Sequence, residues 1–469
     1  MKFNQFRFII PLFAIILLNS CLGTNDPTTY SENPTFVSLK FAANDSIPNL
    51  EDAVFTLQFD ALLNDSIIVN LDSLPYQTRI DSVFPTFSFK STAGSKLYFQ
   101  NGDSVGITGK DTIDFTQVVA IKNTAADEIH PRTYKIRVNV HQVEPELYVW
   151  NKVSNDLDAH NAVHQKAVIL NDKLFYYLSD NASGYLYNSV DGYSWDPKTV
   201  NGLPINTPLN DMSQFNGKLY LSNNNDKIYS TSDGYNWTEK TYTDYNFKSL
   251  LFVLNDSLRA VTQSKTDLKY RFASSKDGET WIVREKDEIP ANFPISEFTA
   301  LSFYSRSGKH KGIVIGGKDI NGNTVKSNWS SEAKIQNGKT YWVDFSLENH
   351  TLDTLAIGAS VIFYDDKLYL LGVRNDKPDF ENYYKVSIDE GLSWQTADTI
   401  NNVLPESFSP RNFHSAVVFK PTKYSSSAVY TKPELINSNR IFIIGGKTQT
   451  EVLSDIWTGK LNRKSFFRQ

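Results

Sequence analysis

Between Phe36 and Val143, apolar and polar residues alternate in short runs, and the residues between these runs carry no helical period. Such alternation predicts half-buried β-strands, here at residues 35–41, 54–59, 66–70, 86–90 and 134–140. Turn residues separate the runs at intervals of about 8–15 residues, which favours an all-β arrangement. The sequence therefore predicts an Ig-like β-sandwich over residues 35–145.

After Pro145 the sequence repeats a short pattern, in which a glycine is followed three residues later by tryptophan. The pattern occurs at Gly192, Gly234, Gly278 and Gly391, and residues 337–342 are a looser copy. Asp-Gly between two β-rich runs is a tight hairpin signal. A second hairpin precedes several of these turns, at residues 171–176, 216–221 and 365–370. Four strands per repeat predict the blades of a β-propeller over residues 146–469.

The tryptophan spacing predicts the number of blades. All eight tryptophans follow residue 149, and six of them are separated by 45, 42, 44, 61 and 52 residues, close to the period of propeller repeats. A further unit without the Asp-Gly turn occupies residues 412–461. We expect residues 147–153 to supply the outer strand that closes this last blade, with Phe466 and Phe467 as the competing candidate. Six blades are predicted, and seven are the alternative.

The N-terminus predicts the compartment. Lys2 and Arg7 precede an apolar run at residues 8–18, which is too short to span a bilayer and has the length of a secretory signal. Leu18-Asn19-Ser20-Cys21 follows, in the pattern of a bacterial lipoprotein signal. We expect cleavage after residue 20, lipidation of Cys21 and a flexible linker over residues 21–34. The alternative is an ordinary secretory peptide with an incidental cysteine.

The predicted lipid anchor places the protein in the cell envelope, attached to the outer membrane, on a face that the sequence leaves open. The anchor is the only membrane contact that we expect. The formal net charge is −5, and it becomes −7 without the first 20 residues, so a nucleic-acid partner is not expected. Cys21 is the only cysteine, which rules out disulfides and cysteine-based metal sites. No cofactor and no metal are predicted.

A triplet of Asp, Ser or Thr, and then Ile, Leu or Val occurs nine times, against roughly two or three expected from average residue usage. It resembles the O-glycosylation sequon of Bacteroidota, in which the hydroxyl after Asp carries the glycan. The alternative is turn chemistry that introduces a strand. The hydroxyl residues are Ser46, Ser66, Ser73, Ser82, Ser104, Thr112, Ser257, Thr354 and Thr399.

The repeats carry a family resemblance. The Asp-Gly turns are similar to the Asp-box of sialidase-like propellers, and the Gly-Gly segments that lead to Trp329 and Trp457 resemble Kelch repeats. The whole mature chain resembles Bacteroidota lipoproteins that pair an Ig-like domain with a Kelch-like, galactose-oxidase-type propeller. The resemblance implies a fold but no activity. Sialidase-like proteins carry an Arg-Ile-Pro element in an early blade, whereas this chain has Glu288-Ile289-Pro290 and no Arg-Ile-Pro. Galactose oxidase cross-links a cysteine to a tyrosine beside copper, but the only cysteine here is Cys21, which we expect to carry a lipid.

The candidate binding residues lie where propeller blades begin. His164 and His414 each precede a predicted innermost strand, and we expect them to line one mouth of the central channel with Asn161, Asp211 and Arg411. The alternative is that these groups are satisfied internally and fix the ends of the inner strands. His160 and His164 have the spacing of a helical metal site, but a strand follows them, so no metal is expected there.

Three functions remain open from the sequence alone. The first is a non-catalytic lipoprotein that binds a glycan or an envelope protein at the channel mouth. The second is a glycan-active hydrolase or lyase on the same propeller, for which no pair of catalytic carboxylates is assigned. The third is a scaffold subunit of an envelope complex. The absence of a recognised catalytic motif favours the first.

Overall fold

The computed structural model describes residues 29–60, 65–153, 157–347, 352, 356–374, 381–422 and 438–462. Within them the chain is almost entirely β, with one short 3-10 helix at Phe345–Leu347. No helix in these ranges is long and apolar enough to cross a bilayer. Cys21, Thr354 and residues 466–467 lie outside the described residues. Two compact units are present, one up to Pro145 and the other over residues 146–462.

The first unit contains two sheets that share one hydrophobic core. Strands β1 and β4 form one sheet, and the other has the order β2-β3-β8-β7-β5-β6, in which only the β3–β8 pair is parallel. Phe36 and Phe41 of β1 pack with Ile68, Ile121 and Ile136 of the larger sheet. The strands are β1 (Phe36–Phe41), β2 (Phe55–Asp60), β3 (Asp65–Asn70), β4 (Pro85–Phe89), β5 (Gly94–Tyr98), β6 (Ser104–Gly106), β7 (Val119–Thr124) and β8 (Pro131–Arg137).

The second unit contains six four-stranded antiparallel sheets among its described residues. In each of the first five, the strands follow one another along the chain. Sheets one to three consist of β10 (His164–Leu170), β11 (Lys173–Ser179), β12 (Gly184–Ser189), β13 (Asp196–Lys198); β14 (Ser213–Phe215), β15 (Lys218–Ser222), β16 (Lys227–Thr231), β17 (Thr238–Thr241); and β18 (Tyr245–Val253), β19 (Leu258–Ser264), β20 (Tyr270–Ser275), β21 (Ile282–Glu288).

Sheets four and five are β22 (Thr299–Tyr304), β23 (His310–Ile315), β24 (Asn328–Gln336), β25 (Lys339–Asp344); and β26 (Ser360–Tyr364), β27 (Lys367–Val373), β28 (Asn382–Ser387), β29 (Gln395–Thr396). Sheet six has the order β30 (Ser415–Phe419), β31 (Arg440–Lys447), β32 (Val452–Leu461) and β9 (Tyr148–Lys152). The strand expected at residues 147–153 is thus the outer strand of the last sheet, with Trp150 opposite Gly459.

The first strands of the six sheets form a closed ring. Each of β10, β14, β18, β22, β26 and β30 contacts the first strand of the next sheet, and β30 contacts β10. Gln165 reinforces this last contact, because its amide donates to Gly446 O at 2.9 Å and accepts from Gly446 N at 2.9 Å. Tyr176 Oη donates to the same amide oxygen at 2.6 Å. The last sheet is therefore fastened to the first.

The turns at Gly192, Gly234, Gly278 and Gly391 pack the first, second, third and fifth sheets against the sheet before each of them. In the second sheet, Asp233 Oδ1 accepts hydrogen bonds from Tyr235 N at 2.8 Å and Asn236 N at 2.9 Å. Gly234 has φ +82°, a conformation that glycine adopts without strain. A Cβ on Gly234 would lie 2.3 Å from the Phe175 ring of the preceding sheet. The turn thus leaves room for a neighbouring aromatic side chain.

Candidate functional site

The ring of first strands surrounds a cavity of about 1000 Å³. All six first strands or the residues just before them contribute to its lining, from residues 165–169 of the first sheet round to 413–417 of the sixth. Because consecutive side chains of a strand point to opposite faces, only part of each strand presents its side chains to this space. Side chains that are far apart in the sequence therefore meet at this cavity.

Hydrogen bonds between neighbouring sheets hold the cavity wall in place. Ala167 N donates to Ser415 Oγ at 2.8 Å, and Val361 N donates to Thr299 Oγ1 at 2.9 Å. Ser360 Oγ donates to His414 O at 2.7 Å. Each bond joins a first strand to the next first strand or to the residue just before it, so these polar side chains satisfy backbone groups between neighbouring sheets.

Asp211 combines this structural role with an unusual ionisation. Its Oδ2 atom accepts from Ser222 Oγ at 2.5 Å and from Leu250 N at 2.8 Å, which joins the second and third sheets. Burial disfavours the charged carboxylate and raises the pKa of Asp211 to about 6, although both hydrogen bonds and the positive charge of Lys166 act in the opposite direction. Asp211 therefore titrates near neutral pH.

His414 lies in the cavity wall with only 5% of its surface exposed. Neither imidazole nitrogen forms a hydrogen bond of good geometry with a described residue, although the Arg411 backbone lies close enough to favour the protonated ring. Burial, with the positive charges of Arg411 and Lys166, lowers the pKa of His414 to about 3, so the ring is neutral at pH 7. A neutral imidazole has one donor and one acceptor nitrogen, and here both lack a partner of good geometry among the described residues.

Lys166 is the third titratable group of the cavity wall near the start of the strands. Its ammonium forms no hydrogen bond or ion pair with any part of the chain that the structure describes. Surrounding protein atoms enclose the side chain and lower its pKa, while Asp211 opposes this shift. The side chain nevertheless keeps partial contact with the solvent of the cavity. Lys166 is therefore an amine in the cavity wall that no described residue pairs with, and a negative charge placed beside it would favour its ammonium form.

Of the five predicted binding residues, the structure brings Asp211 and His414 together in the cavity and leaves the other three outside its lining. Arg411 is 1% exposed and forms a bidentate ion pair with Asp455, with Nη2 3.1 Å from Oδ2. Its guanidinium also lies 4.3 Å from the centre of the Phe408 ring. The expectation that Arg411 lines the channel is not met, because this charge is neutralised inside the sixth sheet.

His164 and Asn161 also lie outside the cavity lining. His164 begins β10 and is half-buried, and burial lowers its pKa. Asn161 is exposed and has φ +50°, in a turn before β10. The His160 ring stacks on Tyr185 at 3.6 Å between ring centres instead of forming a helical pair with His164. In the described ranges, no three His, Cys, Asp or Glu residues are grouped to hold a metal ion.

The predicted glycosylation residues differ in accessibility. Ser257 is 6% exposed, and its hydroxyl donates to Asn255 O at 3.4 Å. Ser257 is therefore the least accessible of the predicted glycosylation residues that the structure describes. The other described hydroxyl residues are exposed or half-buried, namely Ser46, Ser66, Ser73, Ser82, Ser104, Thr112 and Thr399.

Two protein-family models together match most of the chain. Residues 29–138 match the DUF6242 N-terminal domain, and residues 144–469 match the DUF6242 beta propeller domain. The chain belongs to the DUF6242 family. This match confirms the predicted β-propeller in the second unit of this DUF6242 protein. A search of curated protein sequences found no match.

Several solved structures resemble the DUF6242 chain at low identity. A Bombyx mori GH32 beta-fructofuranosidase in complex with sucrose is 11% identical to this chain, with a TM-score of 0.33. The alignment covers 58% of this chain and 71% of the beta-fructofuranosidase chain. A Bacteroides thetaiotaomicron endo-1,4-beta-xylanase is 10% identical with a TM-score of 0.30, covering 63% and 89%. YCF48 bound to D1 peptide is 14% identical with a TM-score of 0.31, covering 79% and 94%. These values are too low to relate function.

Proposed function

We propose that this DUF6242 protein is a non-catalytic binding protein, and that the central cavity of its propeller holds a saccharide. The observation that carries this proposal is the buried, unpartnered imidazole of His414 in the wall of a cavity of about 1000 Å³. A buried polar group without a partner costs about 1–3 kcal/mol, and a ligand that supplies the missing hydrogen bonds recovers this free energy. Sugar hydroxyls both donate and accept, which matches a neutral imidazole.

The size and composition of the cavity support a small ligand. Cavities of about 300–1,000 Å³ are typical of small-molecule sites. Gln165, Asn210, Thr299 and Ser360 add polar groups to the lining, although Gln165, Thr299 and Ser360 also hydrogen-bond to the backbone of neighbouring sheets. Because hydrogen bonds between the sheets hold these strands, the polar groups are positioned before the ligand arrives, which reduces the entropy cost of binding.

Thermal unfolding of the full chain tests this proposal. All eight tryptophans follow residue 149, so their fluorescence reports the unfolding of the propeller unit. The protein, kept in a zwitterionic detergent that carries no sugar, is heated with a panel of neutral and acidic oligosaccharides. A ligand present at about 100 times its Kd should raise the Tm by about 5 °C. The absence of any shift across the panel would refute saccharide binding.

A matched pair of variants locates the effect. His414→Leu should remove most of the shift, because it removes the imidazole from the cavity wall. His310→Leu should leave the shift unchanged, since His310 is half-buried on β23 and lies outside the cavity lining. A saccharide that stabilises both variants equally binds somewhere other than the cavity.

The ionisation of Asp211 favours a second candidate, a glycan-active enzyme. A carboxyl group with a pKa of about 6 is suited to donate a proton near neutral pH, as general acids of glycosidases do. The hydrogen bonds that Asp211 accepts from Ser222 Oγ and Leu250 N both go to its Oδ2 atom, and the Ser222 backbone also favours the carboxylate. Release of reducing sugar from a panel member, abolished by Asp211→Asn, would favour this candidate over simple binding.

The proposal includes the wider architecture and location of the protein. The six four-stranded sheets are the blades of a six-bladed propeller, supported by the closed ring of their first strands. Residues 35–145 are an Ig-like spacer, and Cys21 carries a lipid that anchors the chain to the outer membrane. The Asp-Gly turns correspond to Asp-boxes, and the accessible Asp-Ser and Asp-Thr hydroxyls carry glycans. A scaffold function in an envelope complex would instead predict binding to the outer strands of the propeller.

A further inference from the structure

The cavity is chemically asymmetric along its length. Lys166, Asp211 and His414 lie near the starts of their strands, whereas Asp172 and Asp256 follow the ends of β10 and β18. Four residue steps of β10 separate Lys166 from Leu170, which corresponds to about 13 Å, and Asp172 lies in the turn beyond that end. The acidic residues at the far end are therefore too distant to neutralise a charge beside Lys166.

The nearby acidic groups already have partners. Asp211 Oδ2 accepts two hydrogen bonds from neighbouring strands, and its carboxylate is more than 4 Å from the Lys166 ammonium, since the two form no ion pair. Glu297, also in the lining, pairs with Lys318 at 2.8 Å. Among the described lining residues at this end of the cavity, Lys166 is thus the basic group that has no counter-ion in contact.

The charges near the His414 ring also favour an anion in this part of the cavity. The positive charges of Arg411 and Lys166 disfavour protonation of His414, although the Arg411 backbone favours it and Asp455 pairs with the Arg411 guanidinium. Lys166 has no such partner, so its ammonium form is what makes the potential beside His414 positive. An enclosed positive potential attracts an anion much more strongly than an exposed one, because little water screens it.

We propose that the saccharide bound in the cavity carries a carboxylate, as a uronic acid does, with the Lys166 ammonium as its counter-ion and the His414 imidazole as a second hydrogen-bond donor. This inference rests on the proposed function and makes it more specific. The carboxylate would supply the charge that Lys166 lacks, and an acceptor for whichever ring nitrogen of His414 carries the proton. A neutral sugar would leave the Lys166 charge without a counter-ion.

Paired ligands that differ only in charge test this inference. Isothermal titration of the full chain compares trigalacturonate with its methyl ester, and a hyaluronan tetrasaccharide with its methyl ester, beside the neutral panel. A charge-assisted hydrogen bond in an enclosed site contributes enough for the free acid to bind at least about tenfold more tightly than its ester. This comparison uses the unmodified protein, so it does not depend on the folding of any variant.

Variants of Lys166 then identify the counter-ion. Lys166→Met should abolish the preference for the acid, and Lys166→Arg should retain it. Lys248→Met is the matched control, because Lys248 is also a half-buried lysine on a first strand but lies outside the cavity lining. The Lys248→Met protein should prefer the acid over the ester as strongly as the parent protein does.

The outcomes separate the two proposals. Equal binding of acid and ester, a preference that survives Lys166→Met, or binding of neutral sugars alone would overturn the acidic-saccharide inference while leaving saccharide binding intact. No binding by any neutral or acidic saccharide would overturn the proposed function, and the inference with it.

Discussion

His414 contributes to the response of the propeller's stability to acid. In the folded protein its pKa is about 3, whereas an exposed histidine in the unfolded chain titrates near 6.5. Between these values the unfolded chain binds a proton that the folded protein does not. The free energy of unfolding therefore falls as the pH decreases through this window, and a single site changes it by up to about 1.4 kcal/mol per pH unit.

We expect His414→Leu to flatten this dependence between pH 6.5 and 5. Denaturant unfolding at several pH values measures it, and the difference between the parent and the variant isolates His414. Asp211 acts in the opposite direction between about pH 4 and 6, because its pKa is raised in the folded state, but it is present in both proteins. If the free energy of unfolding depended on pH in the same way in the parent and in His414→Leu, His414 would not be buried as a neutral ring.

At the scale of single elements, the Asp-Gly turns join neighbouring sheets. The glycines of four such turns approach a second-strand side chain of the preceding sheet so closely that a Cβ would lie 2.3–2.4 Å from it, in the pairs Gly192–Phe442, Gly234–Phe175, Gly278–Tyr220 and Gly391–Ile313. The turn motif is therefore also an inter-sheet contact. This explains why glycine recurs there as regularly as the aspartate that closes the turn.

Gly234→Ala should destabilise the propeller much more than Gly217→Ala. Both glycines have positive φ, +82° and +71°, so both substitutions bear a similar backbone cost of roughly 1–2 kcal/mol. Only Gly234 faces a buried ring, since nothing lies within 4 Å of a Cβ on Gly217. Overpacking against Phe175 should add about 1–3 kcal/mol, measured by denaturant unfolding. Equal losses would mean that the inter-sheet contact contributes nothing.

At the scale of the whole molecule, closure of the ring depends on groups far apart in the sequence. Gln165 and Gly446 are separated by 281 positions, yet they exchange two hydrogen bonds. The outer strand of the last sheet comes from residues 148–152, before the first sheet. Both features link the two ends of the propeller, so opening the ring requires both to break.

Gln165→Leu should weaken this closure by about 3–5 kcal/mol, because it leaves Gly446 N, Gly446 O and the Tyr176 hydroxyl without their buried partner. Gln263→Leu is the control, since Gln263 is only partly buried on β19 and contributes a single 3.2 Å side-chain bond to Leu268 O. Its effect should stay near 0.5 kcal/mol. Tryptophan fluorescence in denaturant measures both, and a similar small loss in each would contradict the closing function of Gln165.

Local patterns account for what the sequence predicts correctly. Glycine and aspartate at a hairpin, followed by tryptophan, specify a turn and the next strand through interactions within a few residues. The strands expected at 35–41 and 54–59 therefore form as β1 and β2, nearly at the predicted bounds. Strand β5, in contrast, begins at Gly94 and has only one buried residue, Leu97, so its pattern is too weak to recognise.

The cavity depends on long-range packing, and this limits prediction of the site. Arg411 and His414 are three residues apart, yet one is paired inside the sixth sheet and the other lines the cavity. The difference is set by Asp455, which no local pattern relates to Arg411. Lys166 was missed, although a lysine directly before the apolar residues 167–170 of an inner strand was a usable signal.

The central claim is that a saccharide occupies the cavity, and the imidazole of His414 reports this most directly. With ¹³C-labelled histidine, the Cε1 resonance of His414 is one of seven and is assigned by its loss in His414→Leu. Titration with the saccharide that raises the Tm should shift this resonance in a saturable way, while those of His130 and His310, outside the cavity, stay in place. A stabilising saccharide that leaves the His414 resonance unchanged would contradict binding in the cavity.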